Sequence, residues 1–467
     1  MKRNAISELQ KRLGSTKIIL GKKAISQYFR NSPDEINLVL ALPQTVEELQ
    51  DIATFSYENE IPIFTVRRRY VEDPSIAKRE GILVDLAKMN NIKKIDTKNL
   101  IAHIYGGVTF EQLRSELAKF NQRVLYPVTG LSPYVLRSYI DREILMGSGG
   151  YRHPHLSIFH AMLANGEIWI SGSQQLTDEG HADFREDQGP QFSPFFGASE
   201  DIFGIPYYGL VYTYPNREER RILTFGFDEL GPAKDLLYRV SHAEWCFEAF
   251  AANDRFLSVI LSEGKSENVS SLRKKLKPWT VVFTLEHYRD LVELWERYIK
   301  EEAQEAGGKQ IKGSVPELIE KALSNPWYLH ERDFHKGITK HIFCYQYFKN
   351  VEETFGIIDE NCQSAKIKPG ELGKIVVPSY FGGAAYCEAD IYSNPNDEKA
   401  ESASEKARLS SFEALMDSKA FIDKPTGKVA KMLYGRTHPS YVEMIKLFKR
   451  TVDPKGLMNP DSLLEGV

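Results

Sequence analysis

The 467-residue sequence has little of several features that would define its class. Its four cysteines include no C-x-x-C pair, which excludes a zinc knuckle and argues against a disulfide framework. No apolar run approaches the ~20 residues of a membrane-spanning helix, so we expect no membrane span. The basic N-terminus is not followed by an apolar signal core, so we expect a cytoplasmic protein. A formal net charge of −4 provides no basic field, which excludes most nucleic-acid binders.

Signatures of several common enzyme classes are also absent. The chain has no Walker phosphate loop, no G-x-G-x-x-G fingerprint and no Ser-His-Asp signature. One histidine group, His330, His335 and His341, has spacings of five and six, which differ from the i, i+4 pair of a helical zinc site. The sequence therefore predicts no metal site. A hydrophobic content of 42% with 27% charged residues is that of an ordinary globular protein.

The patterning predicts alternating helices and strands. Residues 39–66 read as strand, helix and strand, and Thr45 with Glu48 has the spacing of a capping box at the start of the helix. Further apolar strands and amphipathic helices follow up to about Pro215, where a second module is predicted to begin. Two polar stretches, 301–313 and 393–410, are predicted to be surface excursions. The fold class expected from this pattern is α+β.

Several segments, in order, resemble one known family. They are LPQTVEELQDIATFSYENEIPI, GILVDLAKMNNIKKIDTKNLIAHIYGGVTFEQLRSEL, SYIDREI with LANGEIWISG, GPQFSPFFGASEDIFGI, and the closing TVDPKGLMNP. Together they resemble the vanillyl-alcohol oxidase and p-cresol methylhydroxylase family of flavoproteins. The resemblance implies FAD as cofactor, a PCMH-type FAD-binding domain over residues 1–216, an inserted α/β cap domain for substrate over 217–430, and a C-terminal segment, 431–467, that returns to the FAD domain.

The resemblance also implies where FAD binds. The turn that carries glycines in the family here contains consecutive arginines, of which Arg67 and Arg68 are predicted to bind the pyrophosphate by bidentate hydrogen bonds. A strand edge or an interface with an acidic partner is the alternative reading of these arginines. The other cofactor-binding residues implied lie in turns that approach the cofactor closely: Gly106, Gly107, Val108, Gly147, Ser148, Gly149, Gly150, Ser199, Gly204, Ile205 and Asn459.

Substrate residues follow from the aromatic-alcohol branch of the family. The resemblance implies that Arg436 and Tyr434 orient the substrate, and that Tyr151 stands where the branch has an acidic residue near the flavin. Tyr386 is the nearest candidate for a covalent flavin link. Strand alternation places Tyr386, Glu388 and Asp390 on one face, which is either a pair of carboxylates for acid–base work or a solvated surface.

The function implied is FAD-dependent oxidation of a small aromatic alcohol or alkylphenol-like substrate, with hydride transfer to the flavin. The alternative is an inactive paralogue that serves as a structural subunit beside an active homologue. A partner is expected in either case, as a homologous flavoprotein or an electron-accepting subunit, and the protein is expected to be an oligomer.

Overall fold

A computed structural model gives the fold of the chain. It describes residues 3–14, 16–29, 35–67, 74–127, 132–143, 156–176, 183–324, 338–379, 383–394 and 396–464. Within these ranges, no helix has both the length and the apolar character needed to cross a membrane.

A small sheet opens the chain. Its strands are β1 (Ile18–Ile19), β2 (Leu38–Ala41), β3 (Ile63–Thr65) and β4 (Gly81–Val84), in the order β1-β2-β4-β3. Strands β2, β4 and β3 are parallel. The helices are α1 (Arg3–Leu13), α2 (Lys22–Ser26) and α3 (Val46–Asn59). At the start of α3 the Thr45 side chain accepts a hydrogen bond from the Glu48 amide, which confirms the predicted N-cap.

A second sheet is antiparallel and has five strands. They are β5 (Ile92–Asp96), β6 (Ile101–Tyr105), β8 (Leu156–Met162), β9 (Ile168–Ile170) and β10 (Ile205–Tyr212), in the order β5-β6-β10-β8-β9. Helices α4 (Phe110–Ala118) and α5 (Val135–Ile140) contribute to the apolar core on one face of this sheet. The short strands β7 (Gln122–Arg123) and β11 (Tyr214–Pro215) pair beside it.

A third sheet is antiparallel, has seven strands and forms the centre of the second half of the chain. Its strands are β12 (Glu219–Phe227), β13 (Glu248–Asn253), β14 (Trp279–His287), β15 (Lys309–Gln310), β16 (Ile338–Tyr347), β17 (Gly373–Ser379) and β18 (Ala384–Ser393), in the order β15-β12-β14-β13-β17-β18-β16.

Two groups of helices cover this sheet. One face packs against α6 (Leu230–His242), α9 (Arg289–Glu305), α11 (Val351–Ser364) and α12 (Glu398–Asp417). The other packs against α7 (Asp254–Leu261), α8 (Ser266–Arg273) and α10 (Ser314–Ser324). The predicted surface excursion at 393–410 is wrong because residues 398–410 lie in α12, and the one at 301–313 is wrong for residues 301–305, which complete α9.

The last helices return to the first half of the chain. After α13 (Gly427–Tyr434) and α14 (Pro439–Val452), the chain pairs with β3. The Ile63 amide donates to the Leu457 carbonyl at 2.8 Å, and the Asn459 amide donates to the Ile63 carbonyl at 2.8 Å. The overall class is α+β, as predicted.

Candidate functional site

Five charged side chains form a buried charge network in the first half of the chain: Arg67, Arg137, Asp141, Glu200 and Asp201. Both terminal nitrogens of Arg67 donate to the Glu200 carboxylate. Both terminal nitrogens of Arg137 donate to the Asp201 carboxylate, which is 1% exposed. Burial lowers the pKa of Arg67, although its guanidinium stays charged at any physiological pH. Two bidentate ion pairs therefore lie side by side in a water-poor interior.

An unusual backbone conformation positions the carboxylates of Glu200 and Asp201. Glu200 and Asp201 have φ angles of 58° and 57°, in the left-handed region that most residues with a side chain avoid. Their tight turn follows Ser199, whose hydroxyl donates to the Phe196 carbonyl at 2.9 Å. Consecutive left-handed residues aim both acidic side chains inward, where they meet the two arginines.

Asn459 joins this network through Thr65. The Thr65 amide donates to the Asn459 side-chain oxygen at 3.0 Å, and the Asn459 side-chain nitrogen donates to the Thr65 hydroxyl at 3.0 Å. The Thr65 hydroxyl in turn donates to Asp201 at 2.8 Å. The structure thus brings together Arg67, Ser199 and Asn459, three of the cofactor-binding residues predicted from distant parts of the sequence.

The predicted glycine turns pack against the protein itself. A Cβ on Gly107 would lie 2.2 Å from the Leu86 carbonyl oxygen, and one on Gly204 would lie 2.9 Å from the Met162 carbonyl oxygen. Val108 and Ile205 are fully buried beside them. The close backbone approach at Gly107 and Gly204 is therefore required by the fold itself, and cofactor contact at these positions stays a prediction.

The charge network contains an acceptor that fits FAD. Both oxygens of Asp141 are buried and accept no hydrogen bond from the described residues, and the nearest Arg67 nitrogen lies 3.9 Å away. A buried carboxylate needs donors, and the ribose and ribityl hydroxyls of FAD are donors of this kind. Arg67 offers positive charge for the pyrophosphate, in exchange for its bond to Glu200. The residues present therefore fit the cofactor.

The predicted substrate residues do not come together with this network. Arg436 is an exposed side chain whose guanidinium pairs with Asp417 at 2.6 Å and Glu413 at 3.3 Å on α12, so its placement does not support substrate binding. Tyr434 packs half-buried against the core beneath the five-stranded sheet, and burial raises its pKa to about 12. Arg68, Gly147, Ser148, Gly149, Gly150 and Tyr151 lie outside the described residues.

A polar cluster lies instead on one face of the seven-stranded sheet. His341 on β16 stands opposite Asp390 on β18, and its Nδ1 lies 2.7 Å from Asp390 Oδ1 and 3.5 Å from Glu388 Oε1. Tyr386, on the same face of β18, donates its hydroxyl to Glu388. Asp390, Glu388 and Tyr386 are 0%, 2% and 4% exposed. Of the two readings of this face, the structure excludes the solvated surface.

Aromatic rings extend this face, which we call the cap face and define as His341, Phe343, Tyr345, Tyr386, Glu388 and Asp390. The ring of Tyr386 stacks against Phe343 at 6.3 Å and meets the edge of Tyr345 at 5.3 Å. Cysteines alternate to the opposite side, where Cys344 and Cys387 are fully buried in the other core. The cap face therefore combines aromatic surface with carboxylates and an imidazole.

Lys424 connects the cap face to the first half of the chain. Its Nζ lies 5.8 Å from the ring of Phe343 and 6.0 Å from that of Tyr386, and donates to the Arg142 carbonyl at 3.3 Å. Arg142 in turn donates to the Asp423 carbonyl at 3.4 Å. Arg142 follows directly after Asp141 of the charge network, so the cap face and the network meet at this turn.

Sequence reasoning assigned no role to His341 or Lys424. His341 was considered only with the histidines near it in sequence, whereas its partners are on β18, 49 residues away in the case of Asp390. Strand alternation could have pointed to His341, because it puts His341, Phe343 and Tyr345 on one face of β16. It likewise puts Tyr386, Glu388 and Asp390 on one face of β18. Which strands pair could not be derived from either pattern alone.

Comparison with known proteins agrees with the fold and the cofactor. Residues 38–171 match the sequence family described as an FAD binding domain. A curated relative, the flavoprotein subunit of 4-cresol dehydrogenase (hydroxylating) from Pseudomonas putida, is 28% identical over 133 residues. That match spans 27% of this chain and 26% of the relative's length.

Solved structures match over nearly the whole chain. A p-cresol methylhydroxylase with substrate bound has a TM-score of 0.82 at 13% identity, and the match covers 99% of this chain and 96% of the other. The 4-ethylphenol oxidase from Gulosibacter chungangensis gives 0.80 at 14% identity, with 99% and 97% covered. An alkyldihydroxyacetonephosphate synthase gives 0.71 at 12% identity, with 99% and 86% covered. At these identities the likeness shows the fold.

The sequence match, the shared fold and the buried groups that fit the cofactor agree with one another. FAD is the cofactor, and the chain contains an FAD-binding domain and shares the overall fold of p-cresol methylhydroxylase and 4-ethylphenol oxidase, as the sequence resemblance implied.

Proposed function

We propose that the protein oxidises a small aromatic alcohol or alkylphenol-like substrate. The observation that carries this proposal is the cap face, where the buried rings of Tyr345 and Tyr386 and the half-buried ring of Phe343 adjoin a carboxylate and lie against the junction with the FAD-binding half. Aromatic surface of this kind binds a substrate ring, and the few polar groups beside it fix the orientation of the ring. Two named relatives, a 4-cresol dehydrogenase subunit and a 4-ethylphenol oxidase, support the same substrate class.

In this proposal Tyr386 and Glu388 handle the proton. The Tyr386 hydroxyl donates to Glu388, so its lone pairs are oriented to accept a hydrogen bond from a substrate hydroxyl. Proton loss from that hydroxyl toward Glu388 accompanies hydride loss from the carbon that bears it in an alcohol, or from the benzylic carbon para to it in an alkylphenol. FAD, when bound, takes up the hydride.

Lys424 supplies the positive charge near the substrate oxygen, in the role that the resemblance gave to Arg436. Its side chain is 10% exposed, so its charge is poorly screened by water. A cation in such a place stabilises a developing phenolate or alkoxide. Asp423 accepts a hydrogen bond from Lys424 at 2.8 Å and holds it in position.

FAD is held, in this proposal, by the charge network and by the turns around it. Arg67 pairs with the pyrophosphate and Asp141 accepts hydroxyl donors of the cofactor, whereas flavin contact by residues 147–150 stays a prediction from the resemblance, because they lie outside the described residues. We further propose that the protein assembles as an oligomer or with an electron-accepting subunit, because the curated relative is named a flavoprotein subunit. Four free, buried cysteines support a cytoplasmic location.

The test is anaerobic reduction of the bound flavin by 4-cresol, 4-ethylphenol and benzylic alcohols. We expect at least one of these compounds to bleach the flavin of the wild-type protein, and Tyr386→Phe to slow this step by about 10²-fold or more. Tyr347→Phe is the matched control, because Tyr347 lies on β16 and is 66% exposed. Flavin content and melting temperature confirm that each variant is folded and loaded. Failure of the whole substrate series, or a wild-type rate in Tyr386→Phe, would refute the proposal.

A further inference from the structure

We propose that His341, Glu388 and Asp390 bind a divalent transition-metal ion. One nitrogen and two carboxylate oxygens from these residues lie within 4.8 Å of one another. The site shares Glu388 with the proposed oxidation, which needs no metal ion, and metal binding is tested without any substrate.

The distances suit coordination. Atoms bound to one zinc or manganese ion at about 2.1 Å, at tetrahedral or octahedral angles, lie about 3.0–3.4 Å apart. The Nδ1 of His341 lies 2.7 Å from Asp390 Oδ1 and 3.5 Å from Glu388 Oε1. Small side-chain rotations therefore bring all three atoms to bonding distance of one ion, with no change in strand register.

The outer oxygens of both carboxylates are oriented by tyrosines. Tyr386 donates to Oε2 of Glu388, and Tyr392 donates to Oδ2 of Asp390 at 3.3 Å. This arrangement turns Oε1 and Oδ1 toward the imidazole. Hydrogen bonds that hold ligand side chains in this way are typical of metal sites, where they fix the ligands before the ion arrives.

The donor set and the burial indicate which ions fit. An imidazole nitrogen with two carboxylates suits Mn²⁺, Fe²⁺ or Zn²⁺, whereas Ca²⁺ and Mg²⁺ prefer oxygen ligands alone. Glu388 and Asp390 are 2% and 0% exposed, and a divalent ion with two carboxylates and a neutral imidazole forms an uncharged unit. Burial of a neutral complex costs less desolvation free energy than burial of a charged one.

Among the described residues three side chains can ligate the ion, the number that catalytic sites use with a further position for water or substrate. The aromatic part of the cap face begins next to the cluster, at Tyr386 and Phe343. An ion here would present its open positions toward the region in which we place the substrate, and would bind an oxygen-bearing group there.

The experiment measures metal binding by the FAD-loaded protein after treatment with a chelator. We expect Zn²⁺ and Mn²⁺, added separately, to be retained at about one equivalent per chain after gel filtration, and Ca²⁺ not to be retained. Asp390→Asn and His341→Gln are expected to weaken binding at least about tenfold. His287→Gln, in a histidine of the same sheet outside the cluster, is the matched control and is expected to bind like the wild type.

Binding to the wild type also has a direct readout that needs no variant. Bound Mn²⁺ is expected to lose the sharp electron paramagnetic resonance signal of the hydrated ion, and Zn²⁺ is expected to displace it and restore that signal. No retention of either ion by the wild type would overturn the proposal, and so would equal retention by wild type and folded Asp390→Asn. Flavin reduction by substrate in metal-free protein would leave the proposed oxidation standing while the metal site is judged on these results alone.

Discussion

Replacement of Asp201 by asparagine tests whether the buried charge network holds the FAD-binding half together. Asp201 is 1% exposed. Its carboxylate accepts two hydrogen bonds from Arg137 and one from the Thr65 hydroxyl at 2.8 Å. Asparagine keeps the shape of the side chain and tolerates the left-handed backbone at φ 57°, so the change removes the negative charge and one of the two acceptor oxygens. Arg137, itself 7% exposed, then remains buried without its main counter-ion.

The expected cost follows from that orphaned charge. Removal of one member of a buried ion pair destabilises a protein by about 3–5 kcal/mol, because the remaining charge cannot regain its hydration. We expect Asp201→Asn to lower the free energy of unfolding by about this amount in urea titrations followed by tryptophan fluorescence. The double variant Arg137→Met with Asp201→Asn is expected to be more stable than Asp201→Asn alone, since it no longer buries an unpaired charge.

A surface pair provides the control. Asp228 is 70% exposed and pairs with Lys277 at 2.8 Å, where water and salt screen the interaction. We expect Asp228→Asn to unfold like the wild type within the error of the titration. If Asp201→Asn lost no more stability than Asp228→Asn, or if the double variant were the less stable of the two Asp201 variants, the reasoning would be refuted.

Three further outcomes are expected. Gly107→Ala should lower the free energy of unfolding by about 1–3 kcal/mol, because its Cβ would lie 2.2 Å from a carbonyl oxygen. Gly356→Ala, which has open space around it in α11, should not lose stability, and equal melting curves for the two variants would contradict this. Burial lowers the pKa of His160 in the folded protein, so on acidification the unfolded chain takes up a proton at this histidine before the folded chain does. The free energy of unfolding should therefore fall below about pH 6.5. A His160→Gln variant whose stability changes with pH as in the wild type would count against this. Arg436→Ala should change the rate of flavin reduction by less than about twofold, because its partners among the described residues are the exposed carboxylates of Glu413 and Asp417. A large loss would restore the substrate role implied by the resemblance.

Local patterns predicted the elements whose signals are local. The capping box at Thr45 starts α3 as expected, because that signal depends on four consecutive residues. Helix α12 was missed because its buried positions include Ser404, Ala407 and Ser411, small residues that pack closely but give almost no hydrophobic periodicity. A polar stretch can thus form a packed helix when the adjoining elements leave space only for small side chains on its buried face.

The candidate site could be predicted only in part, because its geometry depends on long-range pairing. Strand alternation correctly put Tyr386, Glu388 and Asp390 on one face, but only the register of β16 with β18 adds His341 to them. The role given to Arg436 depended on alignment with relatives, and no pattern in the sequence could show that α12 brings two carboxylates to its guanidinium.

Because residues 457–459 pair with β3, the FAD-binding half cannot complete its fold until the end of the chain has been synthesised. When β3 leaves the ribosome, its partner segment lies almost four hundred residues downstream, the sequence separation between Thr65 and Asn459 being 394. The seven-stranded sheet, from β12 to β18, is translated completely before that partner exists. A nascent chain therefore has every strand of the inserted sheet available for pairing while the FAD-binding half still lacks a closing segment. We expect stalled chains that end before residue 457 to contain a protease-resistant inserted sheet and a first half that is still readily cleaved.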